Sequence, residues 1–339
     1  LKMKRLTVLM PVYNVDPYVS DAIESVLSQT YSDFELLVLD DCSTDNTADI
    51  VKSFKDSRIR LVSNEVNLGL AENLNKGIEL ANTEFIARMD GDDIACPLWL
   101  EKGVATLDRR PEVGICSFGF EFFGDKNSLV RFPEHNEDSK AEMLFGCTVI
   151  VPVFRRSIMV DNGLRYETSA FPAEDYSMWS YCYRVTQVYN VQETMFRYRT
   201  HNTQISTEKR RLQIEKANNV RLRMLDWLNP NFSETEKQFF VDHFATCNIR
   251  DRHSLMAIKK FADKLVSKNI YGHYSSEALA RRCAIHIAYS TLSFVEDHYF
   301  SKRYSLGNFI KLLFSGLYST IPIKHRFKLL AKCILMRRK

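Results

Sequence analysis

Three aspartates lie close together in the stretch FIARMDGDDIACP, which covers residues 85–97. Asp90, Asp92 and Asp93 directly follow an apolar run of the kind that forms a buried strand. Like charges about 5 Å apart repel each other by about 3 kcal/mol at an effective dielectric of about 20, so a cation would stabilise the cluster. A divalent metal site is therefore one interpretation. A solvated polar turn is the other, because Asp and Gly are ordinary turn residues.

Four short apolar runs near the N-terminus predict β-strands, and they lie at residues 6–12, 34–41, 58–64 and 84–90. Helix-length segments separate these runs. Apolar side chains in two of the segments repeat with helical spacing, namely Val19, Ile23, Val26 and Leu27 in one and Leu70, Leu74 and Ile78 in the other. Alternation of strands and helices indicates a parallel sheet that is covered by helices on both faces.

The acidic residues collect at one edge of this predicted sheet. Asp40 and Asp41 end the second strand, while Asp90, Asp92 and Asp93 end the fourth. Ligands of such sheets bind beyond the carboxyl ends of the strands. Turn chemistry alone does not require acids at both positions, so the pattern favours a metal-bearing ligand site at this edge.

Two common phosphate-binding motifs are missing after the first strand, where the sequence reads PVYNVDPYVS. The absence of G-x-G-x-x-G and of G-x-x-x-x-G-K-[ST] argues against a dinucleotide-dependent dehydrogenase and a P-loop phosphotransferase. A receiver-like phospho-switch also places carboxylates at strand ends, but it would be about a third of this length. The remaining interpretation is a nucleotide whose phosphates are neutralised by a metal ion.

The composition is that of a well-cored globular protein, with 339 residues of which 45% are hydrophobic and 12% aromatic. The eight cysteines lie far apart and form no C-x-x-C pair, which indicates reduced thiols rather than a zinc site or a disulfide framework. We expect neither a signal peptide nor a transmembrane helix, because no apolar run is long enough. A cytoplasmic location is the default expectation.

Five segments of the chain together resemble family 2 glycosyltransferases, which have the GT-A fold. They are residues 8–47, NLGLAENLNKGIELA (67–81), EFIARMDGDD (84–93), residues 147–179 and FRYRTHNTQIS (196–206). Each segment is weakly specific alone, but five in the family's order and spacing are highly specific. The resemblance implies an α/β fold in which helices flank a Rossmann-like, mixed nucleotide-binding sheet. We expect a catalytic domain at residues 1–207 and a helical C-terminal region at residues 208–339.

The resemblance implies an enzyme that transfers a sugar from a nucleotide-sugar donor, usually a UDP-sugar, with inversion of the anomeric centre. The implied acceptor is a hydroxyl of a glycan or a lipid-linked molecule, in polysaccharide or lipopolysaccharide biosynthesis. Negative charge grows on the departing diphosphate during transfer, and a Mg²⁺ or Mn²⁺ ion stabilises such charge as a Lewis acid. These ions take oxygen ligands, often one or two carboxylates together with phosphate and water.

Individual residues take roles from the resemblance as well. Asp92 and Asp93 correspond to the metal-binding acids, and the sequence does not decide which of them is the direct ligand. The residues implied to bind the nucleotide-sugar are Pro11, Tyr13 and Asn14 at the base, Asp41 at the uracil ring, Asn75, Asp90 near the ribose and diphosphate, and Arg199 and His201 near the phosphates. Many relatives have an arginine in the helix after N-x-G, whereas this chain has Glu72 and Asn73 there.

Glu174 and Asp175 match the family's acidic pair, which provides the general base for the acceptor hydroxyl. Asp175, the second member, is the candidate base, and Glu174 is the other catalytic candidate. The alternative is structural: the segment from Pro172 also reads as the start of a helix, where acids stabilise the dipole. His201 has a similar alternative, because a lone histidine in a polar loop is usually a surface residue.

Two other functional classes remain open from the sequence. A sugar-1-phosphate nucleotidyltransferase would share the sheet and the metal, but it would carry a glycine-rich loop after the first strand. A non-catalytic carbohydrate- or membrane-binding protein with a degenerate transferase core is the second alternative. Asp92, Asp93 and Asp175 argue against that class because all three acids are present.

The last third of the chain predicts helices that form a small bundle, and its end is strongly basic. Residues 301–339 contain ten Lys or Arg and no Asp or Glu, whereas residues 1–300 have a net charge of −6. A basic amphipathic helix at this end would suit an anionic membrane surface, on the inner face of the plasma membrane. A helix docked on the protein with solvated lysines is the alternative. No nucleic-acid module accompanies the basic residues, so we expect no nucleic-acid partner.

Overall fold

The computed structural model describes residues 4–124, 128–201, 208–246, 249–301 and 304–335. The chain divides into two compact units, Leu1–Val220 and Arg221–Lys339. The sequence predicts a boundary at residue 207, which stays a prediction, and α8 (Arg210–Leu228) follows that residue.

The first half of the N-terminal unit is a parallel sheet with helices between its strands. In chain order its elements are β1 (Leu6–Val12), α1 (Val19–Leu27), β2 (Phe34–Asp40), α2 (Thr47–Ser53), β3 (Ile59–Ser63), α3 (Leu70–Leu80) and β4 (Phe85–Arg88). The strands are ordered β3-β2-β1-β4 and all of them are parallel. The predicted parallel sheet is therefore confirmed, with β4 ending at Arg88 rather than at residue 90.

Helix α3 packs closely against this sheet. Every residue of β1 is buried, as expected for a strand with helices on both faces. Gly77 of α3 lies so near the sheet that a Cβ atom there would come 2.2 Å from Leu9 Cδ1 and 2.5 Å from Leu39 Cδ1. The absence of a side chain at Gly77 lets α3 approach β1 and β2, and this approach holds the loop before α3 near the strand ends.

The second half of the sheet mixes strand directions. Its elements are β5 (Ile94–Ala95), α4 (Trp99–Arg109), β6 (Val113–Gly124), β7 (Ser128–Val130), α5 (Asn136–Glu142), β8 (Val153–Arg155), α6 (Arg156–Asp161), α7 (Glu174–Cys182) and β9 (Gln187–Thr200). β8 is antiparallel to β4 and β6, β9 is parallel to β6, and β5 is antiparallel to β9. This arrangement brings the end of β9 beside the aspartates that follow β4.

The C-terminal unit is helical in its described residues. Besides the end of α8, its helices are α9 (Glu234–Phe239), α10 (Arg252–Ser267), α11 (Ser276–Tyr299), α12 (Leu306–Phe314) and α13 (Ile323–Ile334), and a π-helical turn (Phe240–Phe244) follows α9. Phe261 of α10 centres an aromatic cluster, with its ring centroid 5.2 Å from that of Phe244. None of the helices among the described residues is both long and apolar enough to span a membrane.

The described part of the basic C-terminal end forms two helices rather than one continuous helix. Two helices, α12 and α13, are separated by a short 3-10 turn (Tyr318–Thr320). Gly316 adopts a φ of +75°, a left-handed conformation that ends α12. Pro322 directly precedes α13, where a residue without an N–H group is tolerated.

Candidate functional site

The first part of the site lies at the ends of β1 and β2. Tyr13 is 48% exposed beyond the end of β1, whereas Pro11 is a buried residue of that strand. Asn14 has a φ of +51°, and its Oδ1 accepts a hydrogen bond from the Thr44 N–H at 2.8 Å. The Asn14 contact ties the two loops together, and the predicted contact of Tyr13 with the base stays a prediction.

Asp41 holds the loop before α3 by accepting hydrogen bonds from its backbone. Asp41 Oδ1 accepts from the Leu68 N–H, and Oδ2 accepts from the Gly69 N–H, both at 2.8 Å. The Asn64 side chain donates to Oδ1 at 2.8 Å and to Asn73 Oδ1 at 2.9 Å. Asp41 therefore positions this loop, and its contact with a uracil ring stays a prediction.

Asn75 has a positioning task on the other side of α3. Its Oδ1 accepts a hydrogen bond from the Tyr166 N–H at 2.8 Å, and its Nδ2 donates to the Tyr166 carbonyl at 3.0 Å. The Tyr166 ring in turn packs edge-on against Trp179 of α7, with the ring centroids 6.2 Å apart. Asn75 thus fixes the segment that leads to α7, and its contact with the nucleotide stays a prediction.

A buried arginine joins two of the predicted site acids. Arg88, the last residue of β4, has a side chain that is only 8% exposed. It forms ion pairs with Asp90 Oδ1 at 2.9 Å and with Asp175 Oδ2 at 3.1 Å. Burial by itself would lower the pKa of Arg88, but the charges of Asp175 and Asp90 raise that pKa well above its usual value. The guanidinium is therefore a fixed positive charge between the two carboxylates.

The remaining two aspartates are held by the end of β9. The Arg199 N–H donates to Asp93 Oδ1 at 2.8 Å, and Arg199 Nε donates to the Asp92 carbonyl at 2.8 Å. His201 Nε2 lies 3.1 Å from Asp92 Oδ2. The structure thus brings all four residues together, with Arg199 and His201 in contact with the acidic turn itself. Residues 202–206 of the same sequence segment lie outside the described residues.

The surroundings of the acidic turn disfavour the ionised forms of Asp90 and Asp93 by raising the pKa of each carboxyl. Burial, with repulsion from Asp92 and Asp90, raises the pKa of Asp93 well above its usual range. Burial also raises the pKa of Asp90 to about 6, although the charge of Arg88 opposes this shift. A cation beside these acids would relieve both effects, because it favours their ionised forms.

The donor atoms at this turn suit a Mg²⁺ or Mn²⁺ ion in part. Asp92 Oδ2 and His201 Nε2 lie close enough to share one ion, and the Asp93 carboxylate is next in sequence. Among the described residues no group of three His, Cys, Asp or Glu is arranged to hold a metal by itself. The residues therefore fit an ion that completes its coordination with phosphate and water oxygens.

Glu174 and Asp175 occupy the first turn of α7, as the helix-start interpretation predicts. Glu174 is buried, and this burial, with repulsion from Asp175, raises the pKa of Glu174 to about 7. Asp175 Oδ1 is a buried atom that accepts no hydrogen bond from the described residues, while Oδ2 is paired with Arg88. One oxygen of Asp175 is therefore held by Arg88, while the role of Asp175 as a general base stays a prediction.

Arg88 lies in the site but belongs to none of the residues that the sequence motifs single out. Its signal is present in the sequence, since an arginine inside the apolar run FIARM must be buried and therefore needs acidic partners. The sequence does not single out Asn64 and Asn73 either, because a single polar residue near a strand end does not distinguish a support for Asp41 from an ordinary loop residue.

The amino-acid sequence of the chain is similar to those of known proteins. The model of the family described as glycosyl transferase family 2 matches residues 7–166. The chain is 31% identical over 179 residues to the UDP-Glc:alpha-D-GlcNAc-diphosphoundecaprenol beta-1,3-glucosyltransferase WfgD of Escherichia coli, an alignment that covers 51% of this chain and 68% of that protein.

Solved structures show the same fold at low sequence identity. TarS of S. aureus (residues 1–349, in complex with UDP-GlcNAc) superimposes with a TM-score of 0.56 at 16% identity, covering 87% of this chain and 89% of that one. The mannosyltransferase PcManGT of Pyrobaculum calidifontis, in complex with GDP-Man and Mn²⁺, gives a TM-score of 0.52 at 15% identity, covering 87% and 88%. The expected GT-A-like fold is confirmed, and the chain belongs to glycosyltransferase family 2.

Proposed function

We propose that this protein transfers a sugar from a UDP-sugar to a hydroxyl of a glycan or lipid-linked acceptor, with inversion of the anomeric centre and with the help of a divalent cation. The relationship to WfgD, whose name specifies a UDP-glucose donor and a diphosphoundecaprenol-linked acceptor, supports this substrate class. TarS, which binds UDP-GlcNAc, supports a UDP-sugar as the donor. Assembly of a surface polysaccharide or lipopolysaccharide is the proposed setting.

The observation that carries the proposal is the pair of ion contacts made by Arg88. They connect Asp90, in the turn that would face the donor, to Asp175, which would face the acceptor. A transferase needs both groups at one place, because the acceptor oxygen must be deprotonated while the bond to the diphosphate breaks. A sugar-binding protein without activity has no need for a proton acceptor beside the donor turn.

In the proposed reaction the acceptor oxygen attacks the anomeric carbon from the face opposite the diphosphate. A new carbon–oxygen bond forms, the bond to the diphosphate oxygen breaks, and the acceptor proton passes to Asp175 Oδ1. Arg88 keeps the Asp175 carboxylate in place during this step, since it holds Oδ2 at 3.1 Å. Glu174, whose pKa is raised to about 7, contributes a neutral neighbour below that pH and so limits repulsion against Asp175.

Asp92 and His201, with Asp93 beside them, would hold the divalent ion, and the ion would supply charge stabilisation to the diphosphate. Contacts within the chain hold these proposed metal ligands in position. Arg199 fixes the backbone of Asp92 and one oxygen of Asp93. Tyr13 and Asn14 would contact the base, and Asp41 sets the loop on the other side.

Calorimetric titration with UDP, in the presence and absence of Mn²⁺, tests the donor half of the proposal. We expect UDP binding that requires Mn²⁺ and that weakens at least tenfold in Asp92→Asn. Asp49→Asn is the matched control, because Asp49 is an exposed acid in the first turn of α2 and should leave binding unchanged. A screen of UDP-sugars for transfer, with the product anomer read by NMR, then tests inversion.

Absence of UDP binding under all conditions would contradict the UDP-sugar assignment, and GDP and dTDP would then be titrated in the same way. Binding of UDP without turnover of any UDP-sugar would instead favour the non-catalytic alternative. Equal binding by wild type and Asp92→Asn would remove Asp92 from the proposed metal site.

A further inference from the structure

The exposed side of α12 is apolar. Phe309 and Leu312 are buried and attach this helix to the C-terminal unit. On the outer side lie Leu306, Ile310, Leu313 and Phe314, and Phe314 is 87% exposed. Residues with this spacing share one side of a helix, so α12 has a second apolar side in addition to the one that it buries.

The exposed side of α13 repeats the pattern. Leu329 and Cys333 are buried, while the outer side carries Ile323, Phe327, Ile334 and Leu335. Phe327 is 69% exposed. We call the exposed apolar residues of both helices the tail surface, which consists of Leu306, Ile310, Leu313, Phe314, Ile323, Phe327, Ile334 and Leu335. An outer helix surface normally carries polar residues, so large exposed apolar side chains on two helices that pack against each other indicate a binding surface.

Three lysines lie beside residues of the tail surface in the sequence. Lys311 follows Ile310 in α12, and Lys324 and Lys328 each follow an exposed apolar residue of α13. None of these three lysines forms an ion pair within the part of the chain that the structure describes. Lys332, by contrast, pairs with Glu296 at 3.1 Å and so serves the interior of the unit.

The charge of the segment distinguishes it from the rest of the chain. Residues 301–339 carry ten Lys or Arg and no acid, although residues 1–300 are net acidic. Apolar side chains next to unpaired lysines are the features that bind a helix to the interface of an anionic bilayer. Each lysine near such a surface strengthens binding, and long lysine side chains can keep their charge at the headgroups while their stems stay apolar.

We propose that the tail surface binds the headgroup region of an anionic lipid bilayer, with Phe314 and Phe327 inserted and Lys311, Lys324 and Lys328 at the lipid phosphates. A protein partner would need an acidic surface of matching shape, whereas an anionic bilayer satisfies both the charge and the apolar area without a specific shape. This proposal does not depend on the transferase activity.

Co-sedimentation of the full chain with vesicles tests the proposal directly. Vesicles of phosphatidylcholine alone are compared with vesicles of three parts phosphatidylcholine to one part phosphatidylglycerol, at low and at physiological salt. We expect binding to the anionic vesicles that weakens with salt. Phe314→Ser with Phe327→Ser should weaken binding at least tenfold. The matched control is Met256→Ser with Ile270→Ser, because these residues are 56% and 70% exposed in the same unit but lie outside the tail surface.

A second pair of variants tests the charge. Lys324→Gln with Lys328→Gln should weaken binding about fivefold for each lysine removed. Lys55→Gln with Lys260→Gln removes the same charge from exposed positions elsewhere and should have little effect. All variants are compared with wild type by circular dichroism and by UDP titration, so that a loss of vesicle binding is not mistaken for misfolding.

Absence of binding to anionic vesicles at low salt would overturn the proposal. Equal binding by wild type and by the folded Phe314 and Phe327 variant would overturn it too. Self-association that this variant abolishes, without vesicle binding, would assign the tail surface to contact between copies of the chain and would also contradict a bilayer as its occupant.

Discussion

Arg88 at the end of β4 reaches Asp175 in the first turn of α7, and the two side chains form an ion pair at 3.1 Å. The same guanidinium pairs with Asp90 at 2.9 Å. The relationship connects two parts of the sequence that carry different proposed tasks, the acidic turn after β4 and the acid pair of α7. Because Arg88 is buried, removing it leaves both carboxylates without their nearest positive charge.

Arg88→Met should therefore destabilise the protein strongly and lower the rate of transfer. Removal of one partner from a buried charge cluster typically lowers the free energy of unfolding by about 3 kcal/mol or more. Urea denaturation measures this loss, and turnover is measured under conditions where the variant is still folded. Below its denaturation midpoint the variant should show a reduced kcat, because Asp175 is no longer oriented.

Arg5→Met is the matched control for this prediction. Arg5 also bridges two carboxylates, Glu84 at 2.7 Å and Asp108 at 2.6 Å, but its side chain is 37% exposed. Exposed ion pairs contribute at most about 1 kcal/mol, so this variant should remain active and close to wild type in stability. Similar losses in both variants would mean that burial of Arg88 is not the source of its effect.

Asp175→Asn should remove the proposed general base while preserving the site. Asn keeps an oxygen that can accept from Arg88, but it cannot take a proton from the acceptor. We expect kcat to fall at least about 100-fold, the usual contribution of a general base, with UDP affinity unchanged within about twofold. Initial-rate kinetics and UDP titration measure the two quantities.

Asp49→Asn again serves as the control, since Asp49 also lies in the first turn of a helix and is exposed. A variant Asp175→Asn that keeps more than a tenth of the wild-type kcat would exclude Asp175 as the base and direct attention to Glu174. A parallel loss of UDP affinity would show that the substitution disturbs the donor turn through Arg88.

The parallel half of the sheet could be predicted from the sequence because its signals are local. Each of its strands is a short apolar run, and the connecting helices show their own periodicity. The fourth strand ends two residues earlier than predicted, because its ladder with β1 stops at the pairing of Arg88 with Leu9. Asp90 therefore lies in the turn, where its carboxylate can reach the Arg88 side chain.

The mixed half of the sheet could not be predicted in the same way. β6 and β9 lie far apart in sequence, and their pairing contains register shifts at Gly119 and near Val113. Such pairing depends on contacts between distant residues and leaves little periodic signal in either strand alone. The positions of Arg199 and His201 against the acidic turn depend on this pairing, so only their motif, and not their contacts, could be found from the sequence.

Glu174→Gln should change how stability depends on pH. The pKa of Glu174 is raised to about 7 in the folded protein, from 4.5 for an ordinary glutamate. The folded state therefore binds more protons than the unfolded state between these values, and stability falls as pH rises from about 4.5 to about 7. Full ionisation of Glu174 would lower the free energy of unfolding by about 3 kcal/mol.

Urea denaturation at several pH values between about 5 and 8 measures how the free energy of unfolding changes with pH, because Glu174 of the folded protein ionises in this range. Gln cannot ionise, so Glu174→Gln should flatten the slope and be more stable than wild type at the alkaline end. Glu277→Gln, at an exposed position in the first turn of α11, should leave the slope unchanged. An identical slope in wild type and Glu174→Gln would contradict the raised pKa.

Arg199→Ala should weaken metal-dependent UDP binding without removing any metal ligand. The side chain of Arg199 donates to the Asp92 carbonyl at 2.8 Å and pairs with Asp21 at 3.0 Å, so it anchors the acidic turn to α1. Without this side chain the turn is less ordered. Part of the free energy of UDP and Mn²⁺ binding is then used to order the turn, which weakens the observed affinity. We expect a UDP affinity about tenfold lower with Mn²⁺ and a kcat close to wild type at saturation, as for lost ground-state positioning.

Arg197→Ala provides the comparison on the same strand. The Arg197 side chain forms an ion pair with Glu121 at 2.9 Å on an exposed surface. It makes no ion pair with the acidic turn among the residues that the structure describes. This variant should bind UDP as wild type does. If Arg199→Ala kept wild-type affinity but lost kcat, Arg199 would act on the departing diphosphate itself, as its motif predicts, rather than through the position of Asp92. Calorimetry with saturating Mn²⁺, followed by initial rates over a range of donor concentrations, separates the two outcomes.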